Sequence, residues 1–590
     1  MKFLQKNKTK KTLKSLQLKA KLLVIFSALV LLSCEDRLGE EVYSVYYAEN
    51  FYNDVSTAEL GMWGVYDVLG TKDTYGENYT FYMQGSTDES RHWRHDFNEA
   101  RDLLANYDQK QGNLILSTVW FKFYEGVARA NDVIDQVTVL RDKLQTKEFP
   151  SKEEQETLDG YNNVLGDTHF LRAFIYFQLT KTWGDVPLRL HNPTSFEDIA
   201  IQRAPQLEVY EQIEEDFLTA ISLLPEAPFV KNEMRISKSA AKGILARFYL
   251  KWAGKPLEDT TKFAKAAEQT NDIIKGGIHS LNTVVAKTGF GGEEFDKPFP
   301  QVFKNYSDKV FDYKESMFEI HFKVIGTYNP DGGAIGSLYG VNSKTGSFAS
   351  RSATRTIPLP TFWESFEEDD LRKDWSIVNF EIQADNTFLD VGNFTSKKLG
   401  IGKFRRYLIS GVENTVNMND EEMSWPVLRY ADVLLMFAES VNETINNGGV
   451  LPAGVTRSEA YDAVNEIRAR AYGSSDENLT VKDYEGFKEQ IEQERSWELC
   501  FEGVRRNDLI RWGKLIKTVR DTGDLLHAGA EDETYYKFNR NADGIYEIHS
   551  EYTPARNIKD HHVLQPIPLT EISQNPLIMI TDPTNNGFSN

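Results

Sequence analysis

The chain has 590 residues, 41% of them hydrophobic, which is enough to bury a sizeable core and by length alone allows three or four domains. Lys and Arg number 67 against 88 Asp and Glu, a formal net charge of -21 at pH 7, which excludes nucleic acid and anionic lipid surfaces as electrostatic partners. Two cysteines, Cys34 and Cys500, cannot build a disulfide framework.

Residues 1–21 hold eight lysines and no acid, and residues 22–32 form the uncharged run LLVIFSALVLL. Eleven such residues are too few for a stable membrane span and suit a secretory signal. The run ends in Leu31-Leu32-Ser33-Cys34, which resembles a bacterial lipobox. Residues 1–33 are therefore expected to be a lipoprotein signal peptide and Cys34 the lipid-attachment site. Cleavage leaves 59 basic residues against 88 acids, a formal charge of -29. Cys500, between Leu499 and Phe501, reads as a buried structural thiol.

Beyond the anchor, residues 84–98, QGSTDESRHWRHDFN, break helical periodicity around Trp93 and read as a polar loop. The run VWFKFYEGVARANDVI follows at 119–134. Phe170, Phe174 and Phe177 stripe a helix that Gly184 and Pro187 terminate. Tyr210, Ile213, Phe217, Ile221 and Leu224 recur at steps of three or four until Pro225, and Ser237 is placed to cap a helix carrying Ala241, Leu245, Phe248 and Trp252. Ala173, Ala240 and Ala246 permit close approach, so antiparallel helix pairs are expected over 34–275. Between 276 and 425 the stripes fade, glycines cluster and a β-like run, Met317 to Phe322, appears. Long irregular stretches on a helical scaffold are usually functional or disordered. The aromatics Tyr328, Tyr339, Phe348 and Trp363 that punctuate this one favour a binding region. A helical region is expected again over 426–590.

The segment 494–513, ERSWELCFEGVRRNDLIRWG, packs Glu494, Arg495, Glu498, Glu502, Arg505, Arg506, Asp508 and Arg511 among Trp497, Leu499, Phe501, Leu509 and Trp512. Charges interleaved this densely with large apolar groups predict two helices meeting at Gly503, with ions partly buried and paired. The segment resembles the C-terminal signature of the SusD/RagB family of outer-membrane lipoproteins. The resemblance extends in family order through residues 119–134, 170–188, 209–225 and 241–250, then 315–320, FEEDDLR at 366–372, VLRYADVLLMFAES from Val427, VNEIRARA at 464–471 and the closing LQPIP. It implies a mainly α fold, a superhelix of tetratricopeptide-like helix pairs carrying a loop-rich ligand-binding region. It also implies a cell-surface lipoprotein of the outer membrane that captures oligosaccharides for a SusC-like TonB-dependent transporter, without cofactor or catalysis.

Alternatives are a peptide-importing member of the same family and a glycoside hydrolase. For the latter, Glu494 and Glu498 lie one helical turn apart, whereas a glycosidase pair must flank the scissile bond. His92 and His95 share the i, i+3 spacing of metal ligands, but no third ligand is evident and no metal is expected. The family's binding loops vary, so candidate substrate-binding residues rest on physical grounds: Trp93, Arg94, Tyr107, Tyr328 and Tyr339, from the 84–98 and 326–351 stretches and between them.

Overall fold

The computed structural model describes residues 51–94, 99–228, 235–285, 297–323, 332–390, 399–409, 421–531 and 552–588. Cys34, His95 and Tyr328 lie outside them. The unit Asp54–Asn590 is built mainly of helices: α1 Val55–Leu69, α2 Leu114–Gln145, α3 Lys152–Trp183, α4 Gln206–Leu223, α5 Lys238–Ala253 and α6 Thr261–Gly276. After α7, Pro298–Asp308, come α8 Tyr430–Asn446, α9 Arg457–Tyr472, α10 Tyr484–Glu498, α11 Arg505–Arg511 and α12 Leu515–Glu531.

Local chemistry fixes the boundaries the sequence suggests. Ser151 and Glu154 cap α3 reciprocally, the Ser237 hydroxyl accepts from Ala240 N at 3.2 Å to start α5, and Gly184 ends α3 at φ +75°. The aromatic stripe at 170–177 occupies only the second half of α3, whose first half is a polar extension begun at Lys152. Successive helices pack in pairs: α2 on α3, α3 on α4, α4 on α5, α5 on α6, α6 on α8, and α8 on α9 and α10. This is the tetratricopeptide-like arrangement. Ala173, Ala240, Ala246, Trp120 and Trp252 are all buried in it, as expected, whereas Trp512 is half-buried and donates its indole N–H to Glu439 at 2.8 Å.

The loop-rich stretch contributes short antiparallel pairs. They are β1 Ser90–His92 with β3 Thr356–Pro358, β2 Ser316–Ile320 with β8 Trp425–Arg429, β4 Ile377–Val378 with β7 Gly400–Ile401, and β5 Phe380–Ile382 with β6 Phe388–Asp390. The β2–β8 ribbon lies on α5 so closely that a Cβ on Gly243 would stand 2.5 Å from a Leu428 methyl carbon. One apolar cluster runs without interruption from α1 through these ribbons to α12.

Within that core lies an ionic network. Arg429, at the end of β8, is enclosed and uses all five of its N–H groups: Nε and Nη2 on Glu502 (both 2.8 Å), Nη1 on Glu315 (3.0 Å) and Glu498 (2.9 Å), and Nη2 also on the Glu498 carbonyl (3.0 Å). Arg372 reaches Asp370, Glu494 (2.6 Å) and Glu498 (3.1 Å); Arg470 bridges Glu315 and Glu498 (both 2.7 Å). Arg495 joins Asp432 to Asp508, and Arg511 joins Asp508 to Glu439. Most charges of 494–513 are thus buried and paired, the exceptions being half-buried Arg505, which meets Asp88, and buried Arg506, which donates to the His562 carbonyl; Gly503, at φ +75°, turns the chain from α10 towards α11.

Removing one partner of a buried pair leaves an uncompensated charge. Arg429→Ala is therefore expected to lose about 3–5 kcal/mol in urea denaturation. Arg429→Lys should also lose stability, because one ammonium cannot reproduce five planar donors. Truncation of Lys152, whose contact to Glu156 is solvent-exposed, should leave the midpoint unmoved.

Candidate functional site

Trp93 leaves the core where the β1–β3 ribbon ends. Ser90, Arg91 and His92 pair with Pro358, Ile357 and Thr356, and the Trp93 amide continues the ladder by donating to the Arg355 carbonyl at 2.9 Å. His92 points inward, its Nε2 2.7 Å from Asp102; burial lowers the pKa of the ring. The next side chain is directed the other way. Trp93 is accordingly 39% exposed, with the Arg94 guanidinium 4.3 Å from its ring centroid. Such a contact contributes about 0.5–1 kcal/mol at an exposed position and orients the ring.

Polar pairs lie along the segments that flank the ribbon end. Arg94 Nη1 lies 3.3 Å from Glu99, and the Asn106 amide donates to the Arg94 carbonyl at 2.8 Å. Arg355 donates to the Tyr82 hydroxyl (2.6 Å) and to Glu77 (3.2 Å), and Tyr82 donates to Glu77 (3.0 Å). An apolar ring face beside a guanidinium–carboxylate rim can stack on the C–H face of a pyranose while neighbours bond its hydroxyls. The buried Tyr82 and its partners Glu77 and Arg355 carry no spacing signal in the sequence, being isolated residues in aperiodic segments.

The base of the corner is tied to the ionic network. Asp88 holds Arg505 at 2.6 Å, the Gln84 amide oxygen accepts from Asn507 at 3.2 Å, and Tyr552 donates to the Thr87 carbonyl at 2.6 Å. The stretch 84–94 is a polar segment pinned from beneath, with Trp93 and Arg94 at its edge.

The other candidates are placed differently. Tyr107 is buried, its hydroxyl donating to the Ser86 carbonyl at 2.8 Å, so it anchors this loop and is not an open stacking platform. Its edge lines a separate hollow of about 540 Å³ with Lys110, Arg556, His561 and Phe588. Tyr339 is likewise buried: Phe81 stacks on it at 4.9 Å and 9°, with Phe404 and Trp425 around it. The expectation of a solvent-facing platform at Tyr339 is corrected for that reason. Phe81 precedes the 84–98 stretch, and the backbone partners of Glu89 to Trp93 are residues 355–359, beyond the 326–351 stretch.

Glu494 and Glu498 are both buried in the network. Burial raises the Glu498 pKa, but Arg470, Arg429 and Arg372 outweigh it and hold the carboxyl at about 2, too acidic for a proton donor near neutrality. Cys500 is also buried and its thiol is pushed up to about 12 by desolvation, an inert structural cysteine.

Residues 362–582 match the model of the SusD family, and residues 57–250 match one described as starch-binding associating with outer membrane. A SusD-like protein of Formosa agariphila is 25% identical over 583 residues, covering 94% of this chain and 97% of its own; a second from the same organism is 24% identical over 84% and 90%. Among solved structures, a SusD homolog from Bacteroides thetaiotaomicron superposes with a TM-score of 0.76 at 26% identity, over 90% of this chain and 97% of the other. Surface glycan-binding protein A from Bacteroides fluxus gives 0.62 at 20% identity over 88% and 96%. A laminarin-binding SusD-like protein gives 0.61 at 20% over 89% and 99%.

Glu89, beneath the corner, supplies a pH test. Its Oε2 accepts from Phe501 N at 3.2 Å while its buried Oε1 has no partner among the described residues, and burial lifts the carboxyl from 4.5 to about 8. The folded state therefore keeps a proton that the unfolded chain releases, so this group's contribution falls as pH rises from about 4.5 to 8. Glu89→Gln is expected to match the wild type at pH 5 and to unfold at a higher temperature than it at pH 8.5, as read by differential scanning calorimetry.

Proposed function

The chain belongs to the SusD/RagB family, and on that premise we infer that it is a surface lipoprotein of the outer membrane that captures oligosaccharides and hands them to a SusC-like TonB-dependent transporter. The single observation that carries the binding role is the exposed Trp93 ring, oriented by Arg94, whose guanidinium meets Glu99, on a base fixed to the buried ion network. Relatives named for laminarin or surface glycan binding support a carbohydrate ligand. Binding without catalysis agrees with the burial of Glu494 and Glu498 in ion pairs.

Affinity at such a corner is modest, because each sugar hydroxyl exchanges water for protein at a net gain of about 0.5–1.5 kcal/mol. Capture and release are both served by this, with the transporter supplying the direction. Membrane attachment would come from Cys34, where acyl chains anchor at about 0.8 kcal/mol per buried methylene; among the described residues no helix is long and apolar enough to cross a membrane.

Trp93→Ala should weaken oligosaccharide binding by about 1 kcal/mol or more in calorimetric titration, with an unchanged melting curve, because the ring is at the surface. Unaltered affinity would remove the corner from the site. Binding of peptides and of no oligosaccharide would assign the peptide-importing alternative, and release of reducing sugar from a polysaccharide panel would assign a hydrolase. For the anchor, Cys34→Ala should yield a precursor that no longer incorporates radioactive palmitate; continued labelling would place the lipid elsewhere.

A further inference from the structure

The guanidiniums of Arg495 and Arg511 face carboxylates, whereas the neighbouring Arg506 donates to the His562 carbonyl and two nearby lysines meet no carboxylate among the described residues. The C-terminal turns of α3 and α5, with the 502–511 segment and the start of β8, enclose a cavity of about 60 Å³. Lys181 and Lys251 line it with Tyr75, Gln178, Arg247 and Asn507. Lys181 lies over the rings of Tyr79 and Phe177, at 5.5 and 5.6 Å, and its ammonium meets no acceptor within hydrogen-bond distance among the described residues. Lys251, buried, gives one N–H to the Lys255 carbonyl at 2.7 Å and has two more. Tyr75 is also more than nine-tenths buried, and among the described residues its hydroxyl has no hydrogen-bond partner.

Arg247 is held by Asp432, and Glu502 and Asp508 on the same wall are already engaged by Arg429, Arg495 and Arg511. The wall therefore presents surplus positive charge and unused donors. Desolvation, reinforced by Arg247, Lys251 and Arg506, lowers Lys181 to about 7; desolvation with Arg511 and Arg506 does the same to Lys251. In each case the neighbouring charges that act are cations. One water needs about 10–15 Å³, so the cavity has room for about four to six, enough for a small oxyanion and less than a pyranose ring needs.

We propose that this cavity binds a small oxyanion, of the phosphate, sulfate or carboxylate class, between the Lys181 and Lys251 ammonium groups and the Tyr75 hydroxyl. The site is separate from the Trp93 corner. Occupancy neutralises the surplus charge where α3, α5 and the 502–511 segment meet, which makes the ligand a structural stabiliser of the scaffold.

The test uses the full mature protein in phosphate-free buffer, titrated with sodium phosphate, sulfate or acetate against sodium chloride of equal ionic strength, with thermal melts and calorimetry in parallel. At least one oxyanion should raise the melting temperature of the wild type where chloride does not, with saturable heat. Lys181→Met should raise the anion-free melting temperature, since an unpaired cation is removed, and should weaken anion binding about tenfold or more. Tyr75→Phe keeps the ring and should weaken binding also, which preserves the test should the lysine variant fail to fold. No oxyanion effect beyond that of chloride, or equal effects in wild type and Tyr75→Phe, would overturn the proposal.

Discussion

Arg429 is saturated by three carboxylates: Glu315, ahead of β2 and far away in the chain, and Glu498 and Glu502, at the end of α10 and in the turn that follows it. Taking such ions out of water costs several kcal/mol each, and the attraction repays that only if every donor and lone pair finds a partner at good geometry. With all five guanidinium donors engaged, the arrangement tolerates one relative position of β8, the 315 strand and α10. A hydrophobic contact would tolerate sliding, whereas a planar fork between fixed carboxylates does not.

Much of the remaining architecture is set by that constraint. Glu498 also accepts from Arg372 and Arg470, which brings the 366–372 turn and α9 to the same point. Asp432, one turn into α8, is shared by Arg495 and Arg247, so the network reaches the helix pairs of the first half. From its other edge, Arg505 to Asp88 and Phe501 N to Glu89 fix the segment that displays Trp93. The proposed binding corner is held by ions beneath it, and a stacking surface that is already ordered would lose less conformational entropy when a ligand arrives.

The same region shows two different treatments of buried cations. Arginines of the network are met by carboxylates and are raised above their ordinary pKa, as at Arg372 and Arg495, where ion pairing outweighs desolvation. Lys181 and Lys251 are lowered, because desolvation acts on them and the nearest charges are cations. An ammonium is a compact, strongly hydrated charge that yields its proton when deprived of partners, whereas a guanidinium does not. This difference separates the rigid part of the interior from the part with unused donors.

The sequence by itself determined the helix pairs, the turn at Gly503, the burial of the 494–513 charges and the family, because each has a local signature: a 3.6-residue stripe, a cap, a glycine, or charges too densely mixed with aromatics to be solvated. It also contained Glu315, Asp370, Arg372, Arg429, Asp432, Arg468 and Arg470 inside family-like blocks, without any sign that they converge. Only the tertiary structure decided which carboxylate meets which guanidinium, since pairing at sequence separations above a hundred residues depends on how strands and helices cross. It decided likewise between aromatics that look alike in aperiodic stretches. Trp93 follows an inward His92 at the end of a ribbon and is turned outward, while Tyr107 and Tyr339 are drawn into the core by a carbonyl acceptor and by Phe81. Exposure in a loop is a property of what packs against it, and no periodicity in the chain encodes that.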